Sequence, residues 1–376
     1  MIYLLLGLYL FVLMVKYDIN KQTRRKNFHL YLAYILMVCL MVFRYRVGGD
    51  TLNYMTHFEQ LPSELYALDL YSNQRWQPIP SIVFYLCKIW ADDFTYVQAI
   101  FAVFVNTVIF SFFKKYTRFY FTAIFLYALA FYMRLNCEIM RESLAVSFFL
   151  IAYPYMMKEK YIKYYLFSFL AFMCHSSAVF IFILPLFLSQ KHNKRFIYLL
   201  ILFIAVAFYT ISNSSLMGAI TNYANLYVEY QSSVFGKLFT ILFSIILPSY
   251  FLYAYRKRVS FFIRFAMFVY IGCSIVSLFF YIAFRFNNYL MPFYLLLMAD
   301  YLNDYSVNNF SRRPLKYSVA MIVFLFSFMM PYFSDVSKAV GHPARWYCCW
   351  YPYYSIFDKQ EDFDRETFIT FQNTNK

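Results

Sequence analysis

The chain of 376 residues is 62% hydrophobic and 24% aromatic, and only 14% of its residues are charged. Soluble domains hold about 45–50% apolar and about 25% charged residues, so this composition excludes an ordinary water-soluble domain. The formal net charge of +15 lies largely in short loops between apolar runs. That distribution indicates membrane topology, and nucleic acid is not expected as a partner.

Apolar runs of about 20 residues, such as 94–113 and 265–284, are long enough to cross a hydrocarbon core of about 30 Å as helices. We therefore predict an all-α polytopic integral membrane protein, because helices satisfy their own backbone hydrogen bonds in lipid. The apolar segment 1–15 lacks a basic leader and a small-residue cleavage site, so it is predicted as the first span. The cysteines have no metal-ligand spacing, and no metal or cofactor is expected.

Short basic segments alternate with the apolar runs, and the positive-inside rule places them in the cytoplasm. They are 16–27, 114–118, 158–163, 191–195, 256–264 and 312–316. An even number of crossings must then separate each successive pair. The spans predicted after the first are 28–43, 94–113, 119–133, 141–157, 196–211, 238–254, 262–281, 285–301 and 317–334.

Two segments do not fit a simple span. The apolar stretch 78–90 is too short to cross the membrane and is predicted as a re-entrant half-helix. The charge-free run 164–190 has basic loops on both sides, so we predict two short helices that meet near His175. The total is about 12 transmembrane helices in one domain, 1–334, followed by an external aromatic-rich tail, 335–376.

The external loops are predicted at 44–93, 134–142 and 212–237. They gather charged residues that the positive-inside rule does not explain, several of them beside apolar sequence where a charge needs a partner or a polar cavity. These residues include Arg44, Arg46, Asp50, Glu59, Arg75, Arg134, Glu138, Arg141, Glu142, Glu229, Arg285 and Arg345.

The segment 43–60 follows the second span directly. Gly48 and Gly49 permit a turn, and Arg46 is a candidate phosphate ligand because a guanidinium binds phosphate oxygens in pairs. Asp50 is a candidate acid, base or arginine partner, and Tyr54 is a candidate sugar contact. The alternative is a surface loop in which Arg46 and Asp50 pair with each other.

The segment 134–149 is predicted to begin a helix in which Glu138 and Arg141, three residues apart, share one face. Glu142 lies four residues after Glu138. We expect a polar environment around these charges, with Glu138 as a candidate catalytic group and Arg141 as a candidate phosphate ligand. The alternative is an ion pair at a membrane boundary.

His175 lies in the middle of a long apolar run, which makes it a candidate general base for a sugar hydroxyl. The alternative is a hydrogen-bonded core histidine. Further along the chain, Arg285 and Tyr289 are predicted on one helical face beside Asn287 and Asn288, and both are candidate substrate contacts, for the diphosphate or the sugar. The alternative there is an interfacial arginine with an aromatic belt residue.

Four segments resemble, in this order, the motifs of the EpsG family, a branch of the Wzy-type bacterial polysaccharide polymerases. They are RYRVGGDTLNY (44–54), EIMRESLAVS (138–147), HSSA (175–178) and RFNNY (285–289). The resemblance covers roughly residues 1–300. It implies a GT-C-like polymerase architecture in the bacterial cytoplasmic (inner) membrane.

The resemblance also implies metal-independent glycosyl transfer between two undecaprenyl-diphosphate-linked oligosaccharides, giving a surface polysaccharide such as an exopolysaccharide, a capsule or an O-antigen. A chain-length regulator and a flippase of the same pathway are the implied protein partners. On this basis Arg46, Arg141 and Arg285 would hold the diphosphate, and His175 or Asp50 would accept the hydroxyl proton. The alternatives are a polyprenyl-phosphate-sugar glycosyltransferase, an O-antigen ligase-like enzyme, a flippase of the lipid-linked oligosaccharide, and a purely structural membrane protein.

Overall fold

The computed structural model describes residues 1–62, 77–187, 234–307 and 343–374, together with positions 329 and 333. The described residues form helices, helical turns and loops, with an isolated antiparallel bridge between Arg44 and Ser355. The spans predicted at 196–211 and 317–334 lie wholly or mostly outside these residues, as does most of the predicted loop 212–237 and Arg75 of the first loop.

The first half of the described chain contains eight α-helices, two π-helical turns and one 3₁₀ helix. The helices are α1 (Ile2–Met14), α2 (Lys26–Val42), α3 (Thr51–Gln60), α4 (Pro78–Ala91), α5 (Phe94–Tyr116), α6 (Tyr120–Ala130), α7 (Met140–Met157) and α8 (Tyr161–Cys174). A π-helical turn, Val15–Ile19, extends α1, and another, Arg134–Glu138, precedes α7. A 3₁₀ helix, Ser176–Phe187, follows α8.

The second half contains α9 (Val234–Thr240), α10 (Leu247–Ala254), α11 (Phe261–Ser277), α12 (Phe286–Val307) and α13 (Phe363–Thr374). A π-helical segment, Ile241–Ile246, joins α9 to α10, and a 3₁₀ turn, Tyr281–Arg285, leads into α12. A short 3₁₀ turn at Trp346–Cys349 lies in the tail before α13.

Three of the described helices are long and apolar enough to cross a membrane, namely Ile2–Ile19, Phe94–Tyr116 and Gly236–Ala254. Shorter apolar helices lie at the predicted spans 28–43, 119–133 and 262–281. On α1 the side chains of Leu4, Leu5 and Leu8 are more than half exposed, which suits contact with lipid. The chain is thus an integral membrane protein, and the total of about 12 spans stays a prediction.

Buried amides tie the Arg134–Glu138 turn to the helices around it. Asn136 lies on this turn, and its Oδ1 accepts a hydrogen bond of 2.9 Å from Asn106 Nδ2 of α5. Tyr127 of α6 donates to Asn106 Oδ1 at 3.1 Å. Unpaired amides are costly in an apolar interior, so these bonds give the turn a fixed position between the two helices.

The helix predicted to break near His175 does break there. α8 ends at Cys174, His175 is extended (φ −159°, ψ 133°), and the 3₁₀ helix starts at Ser176. The two helices pack against each other. The hydroxyl of Tyr165 in α8 donates to the carbonyl oxygen of Phe182 in the 3₁₀ helix at 3.3 Å. The prediction of two helices meeting at this histidine is confirmed, and the hairpin turns His175 toward α7 and α12.

Candidate functional site

Arg44 fixes the loop that follows α2. Its side chain is 1% exposed, and its Nη1 and Nε donate to the carbonyl oxygens of Met41 at 2.6 Å and Val47 at 3.2 Å. Nη2 reaches the sulfur of Met140 at the start of α7, at 3.3 Å. A buried arginine that satisfies backbone carbonyls on both sides of a bend holds that bend in one conformation.

The two glycines bring this loop onto the turn before α7. Gly48 has a φ of +118°, and a side chain there would place Cβ 2.6 Å from the Cβ of Cys137. Gly49 donates its backbone N–H to Glu138 Oε1 at 2.7 Å. The predicted glycine turn is therefore confirmed, and Glu138 is held by the backbone of the first loop.

We expect Gly48→Ala to destabilise the protein, because alanine is strained at this φ and its Cβ meets Cys137. Strain of this kind costs about 1–3 kcal/mol, and the close contact adds to it. The matched controls are Gly7→Ala and Gly272→Ala, since an added Cβ there has nothing within 4 Å. Thermal unfolding in detergent should show a lower melting temperature for Gly48→Ala alone, and equal melting temperatures for all three would contradict the packing.

The C-terminal tail packs against the same loop. Tyr45 N–H donates to the carbonyl oxygen of Tyr354 at 2.9 Å, and Gly48 N–H donates to that of Cys349 at 2.8 Å. These two bonds lie on either side of Arg46. The tail, predicted as a separate aromatic segment, is thus a wall of the loop that carries the first motif.

Arg365 on α13 locks the tail in place. Its side chain is fully buried, with Nε donating to the carbonyl oxygen of Cys348 at 3.1 Å and Nη1 to that of Arg46 at 3.1 Å. Nη2 donates to the carbonyl oxygen of Pro352. No sequence pattern pointed to Arg365, since a charged residue in the polar end of the tail carries no sign of burial.

Arg46 lies against α13. Its Nε donates to Glu366 Oε1 at 2.6 Å and is 3.7 Å from Glu361 Oε1. Hydrogen bonding to Glu366 raises the pKa of Arg46. Arg46 is thus paired with carboxylates of the tail and holds the tail to the loop, and its predicted phosphate contact stays a prediction.

The turn before α7 also differs from the prediction. Arg134–Glu138 is π-helical, and the helix is interrupted at Ile139 (φ −109°, ψ 47°) before α7 begins at Met140. Glu138 and Arg141 therefore do not share one continuous helical face. A π-helical turn redirects side chains, and here Glu138 reaches the glycine loop while Arg141 starts a new helix.

Arg141 lies between α3 and α4. Nη1 donates to Gln77 Oε1 at 3.1 Å, and Cζ lies 5.9 Å from the ring centroid of Tyr54. Tyr54 is only 5% exposed. The buried ring supports the guanidinium, and its predicted sugar contact stays a prediction.

Glu142, one residue after Arg141, is almost completely buried. Asn288 on α12 donates its Nδ2 to Glu142 Oε1 at 2.9 Å. The carboxylate also interacts electrostatically with Arg285, and less strongly with Arg134 and Arg141. A buried carboxylate surrounded by arginines balances their charge and keeps them in place. Glu142 was among the external charges that the positive-inside rule does not explain, and no role was predicted for it.

His175 meets α12 through Ser177. Its Nδ1 lies 2.7 Å from Ser177 Oγ, and the same hydroxyl lies 2.8 Å from the hydroxyl of Tyr289. Tyr289 is fully buried, and its ring packs edge-on against Phe180. Tyr289 thus positions Ser177, and its predicted substrate contact stays a prediction.

The charges of Arg141 and Arg285 both act on His175. Arg141 comes from the second motif, His175 from the third and Arg285 from the fourth. The field of Arg141 also reaches His57 and Tyr54 on α3, and Asp50 at the start of α3 acts on Tyr54. These electrostatic effects connect parts of all four predicted segments in one cationic region, to which the carboxylate of Glu142 also belongs.

Burial, and second the charge of Arg141, lower the pKa of His57 to about 4. In the unfolded chain a histidine binds its proton near pH 6.5, so the unfolded state takes up a proton first as the pH falls. Stability should therefore decline between about pH 6.5 and pH 4. We expect a smaller decline in melting temperature for His57→Gln than for the wild type, and parallel pH profiles would contradict this environment for His57.

The described part of the chain contains no group of three or more histidine, cysteine, aspartate or glutamate residues placed to hold a metal ion. The prediction of chemistry without a metal stays a prediction.

The sequence model of the EpsG family matches residues 27–355. The match contains all four motifs and ends before α13. No curated protein and no solved structure matches the chain at a significant level. Since the matched segment is most of the 376 residues, the chain is a member of the EpsG family, whose proteins belong to polysaccharide biosynthesis in the membrane.

Proposed function

We propose that the protein is a glycosyltransferase that joins lipid-linked repeat units into a polysaccharide. It transfers the growing chain from its undecaprenyl diphosphate carrier onto a hydroxyl of the next lipid-linked unit, at the outer face of the cytoplasmic membrane. The observation that carries the proposal is the convergence of Arg141 and Arg285 on His175, with Glu142 buried beside them.

The chemistry requires a cationic region. The bond between the anomeric carbon and the diphosphate oxygen breaks, and its electron pair stays on the departing diphosphate. Arginines suit this role, because a guanidinium stays charged when partly desolvated and binds phosphate oxygens in pairs. Arg141 lies on α7 and Arg285 immediately precedes α12, and because the charges of both act on His175, they are the candidates to hold one diphosphate there.

The acceptor hydroxyl must lose its proton as the new glycosidic bond forms. His175 and Asp50 are the candidate bases. Asp50 stands at the N-terminus of α3 and acts electrostatically on Tyr54, as Arg141 also does. A carboxylate at this position shares the surroundings of Tyr54 with Arg141 and is separate from the buried pair of Glu142 and Asn288.

Glu138 has a different part in this proposal. Its carboxylate accepts the Gly49 N–H and so joins the first loop to the start of α7. Because the Glu138 carboxylate holds this loop, Glu138 is a positioning group for Arg141. The proposed reaction does not require its predicted catalytic role.

The proposal is tested by deleting the gene in its host and profiling the lipid-linked glycans together with polymer length. Enzymatic access from outside the cell reports on which leaflet the glycans accumulate. We expect complete single repeat units on the outer face and no polymer. Complete units on the inner face would indicate a flippase, and truncated units would indicate a sugar-adding transferase. An unchanged profile would contradict all three functions.

A further inference from the structure

The position of His175 decides which of its nitrogens carries a proton. The residue immediately precedes the 3₁₀ helix Ser176–Phe187, and the first N–H groups of a helix have no acceptor within that helix. Ser177 N–H meets this need by donating to His175 Nδ1 at 3.2 Å. A backbone N–H always donates, so Nδ1 must present its lone pair.

The hydroxyl of Ser177 gives a second constraint. It lies 2.7 Å from His175 Nδ1 and 2.8 Å from the Tyr289 hydroxyl. Because Nδ1 is an acceptor, the serine hydroxyl donates to Nδ1 and accepts from Tyr289. The hydrogen bonds then run in one direction, from Tyr289 through Ser177 to His175.

A neutral imidazole with a lone pair on Nδ1 carries its proton on Nε2. A doubly protonated ring would turn an N–H toward the Ser177 N–H, and it would add a third positive charge to a region that already holds Arg141 and Arg285. Both effects keep the ring neutral. The Nε2 of this tautomer has no lone pair to take a proton from a sugar hydroxyl.

We propose that His175 is a catalytic hydrogen-bond donor whose Nε2–H binds an oxygen of the diphosphate leaving group between Arg141 and Arg285. This inference rests on the proposed function and deepens it. The ring does not change its protonation state during the reaction. It stabilises the electron pair left on the diphosphate oxygen, and the proton of the acceptor hydroxyl goes to a carboxylate, for which Asp50 is the candidate.

Glutamine and alanine at position 175 distinguish a donor from a base. The amide N–H of glutamine reaches about as far as the imidazole Nε2 and donates a hydrogen bond, but an amide cannot act as a base. Loss of one such donor typically lowers a rate about 10²–10³-fold. We expect His175→Ala to lose this much polymerisation and His175→Gln to retain at least about 10-fold more than His175→Ala. Equal loss in two folded variants would overturn the donor role.

The tautomer can be measured without any activity. The chain has five histidines, so ¹⁵N labelling of histidine gives few signals, and the signal lost in His175→Gln is that of residue 175. We expect the Nε2-protonated neutral ring at neutral pH, and the same tautomer in Ser177→Ala, because the backbone N–H of residue 177 still donates to Nδ1. A ring protonated on Nδ1, or on both nitrogens, would overturn the proposal.

The two measurements separate this inference from the proposed function. A wild-type protein that polymerises with an Nδ1-protonated ring would keep the proposed function and remove the donor role. An inactive wild-type protein with an Nε2-protonated ring would remove the proposed function and support the tautomer assignment.

Discussion

Replacing Arg141 with alanine is expected to abolish polymer formation while the protein stays folded. Arg141 lies at the centre of the cationic region, since its charge acts on His57, Glu142 and His175. Groups that stabilise charge developing in a transition state typically contribute about 10²–10³-fold each. Gel analysis of polymer length, with the amount of membrane-inserted protein measured in parallel, checks the result.

The matched control is Arg24→Ala, because Arg24 is an exposed arginine of the first basic segment, far from α7 in sequence. It should leave polymer length unchanged. Arg141→Lys should fall between wild type and alanine, since lysine keeps the charge and loses the paired hydrogen bonds. Normal polymer from a folded Arg141→Ala protein would remove Arg141 from the diphosphate site.

Replacing Arg365 with alanine is expected to lower both stability and activity. The guanidinium donates to the backbone carbonyls of Arg46, Cys348 and Pro352, and its removal leaves the buried Cys348 carbonyl and the two part-buried ones without this donor. A buried acceptor without a donor costs about 1–3 kcal/mol and a part-buried one less, so we expect a total of about 3 kcal/mol. The tail then no longer packs firmly against the first loop, and we expect the melting temperature in detergent to fall by about 5 °C or more.

Glu361→Ala is the control for Arg365→Ala. Glu361 is an exposed residue of the same tail, 3.7 Å from Arg46, and an exposed pair of this kind contributes about 0–1 kcal/mol. It should change the melting temperature little. If Arg365→Ala unfolds at the same temperature as Glu361→Ala, the tail does not support the loop.

The local features of the site followed from sequence because each has a local cause. Gly48 and Gly49 predicted a turn, and the turn is present because φ at Gly48 is +118°. The charge-free run around His175 could not be one straight span between two basic loops, and the helix breaks at that residue. Arg141, Glu142 and Arg285 were singled out because the positive-inside rule does not explain their charges, and in the structure these charges act on one another or on His175.

The remaining features depend on contacts across the chain. Arg46 and Glu366 are separated by 320 positions, and no local pattern indicates that they pair. Tyr54 and Tyr289 were predicted as substrate contacts, and both rings are buried in the structure. The sequence does not distinguish the two positions, because an aromatic ring beside charges is as favourable in a packed interior as in a groove. The prediction that Glu138 and Arg141 share one face required a regular α-helix through both residues. The π-helical turn that ends at Glu138 interrupts that helix.

Polymerisation is tested by reconstituting the purified protein into vesicles with a polyprenyl-diphosphate-linked repeat unit. We expect a ladder of products that grow by one repeat unit, with release of free polyprenyl diphosphate, and no ladder with Arg141→Ala. Repeat units that change leaflet without elongation, or no reaction by a folded wild-type protein supplied with the correct unit, would contradict it.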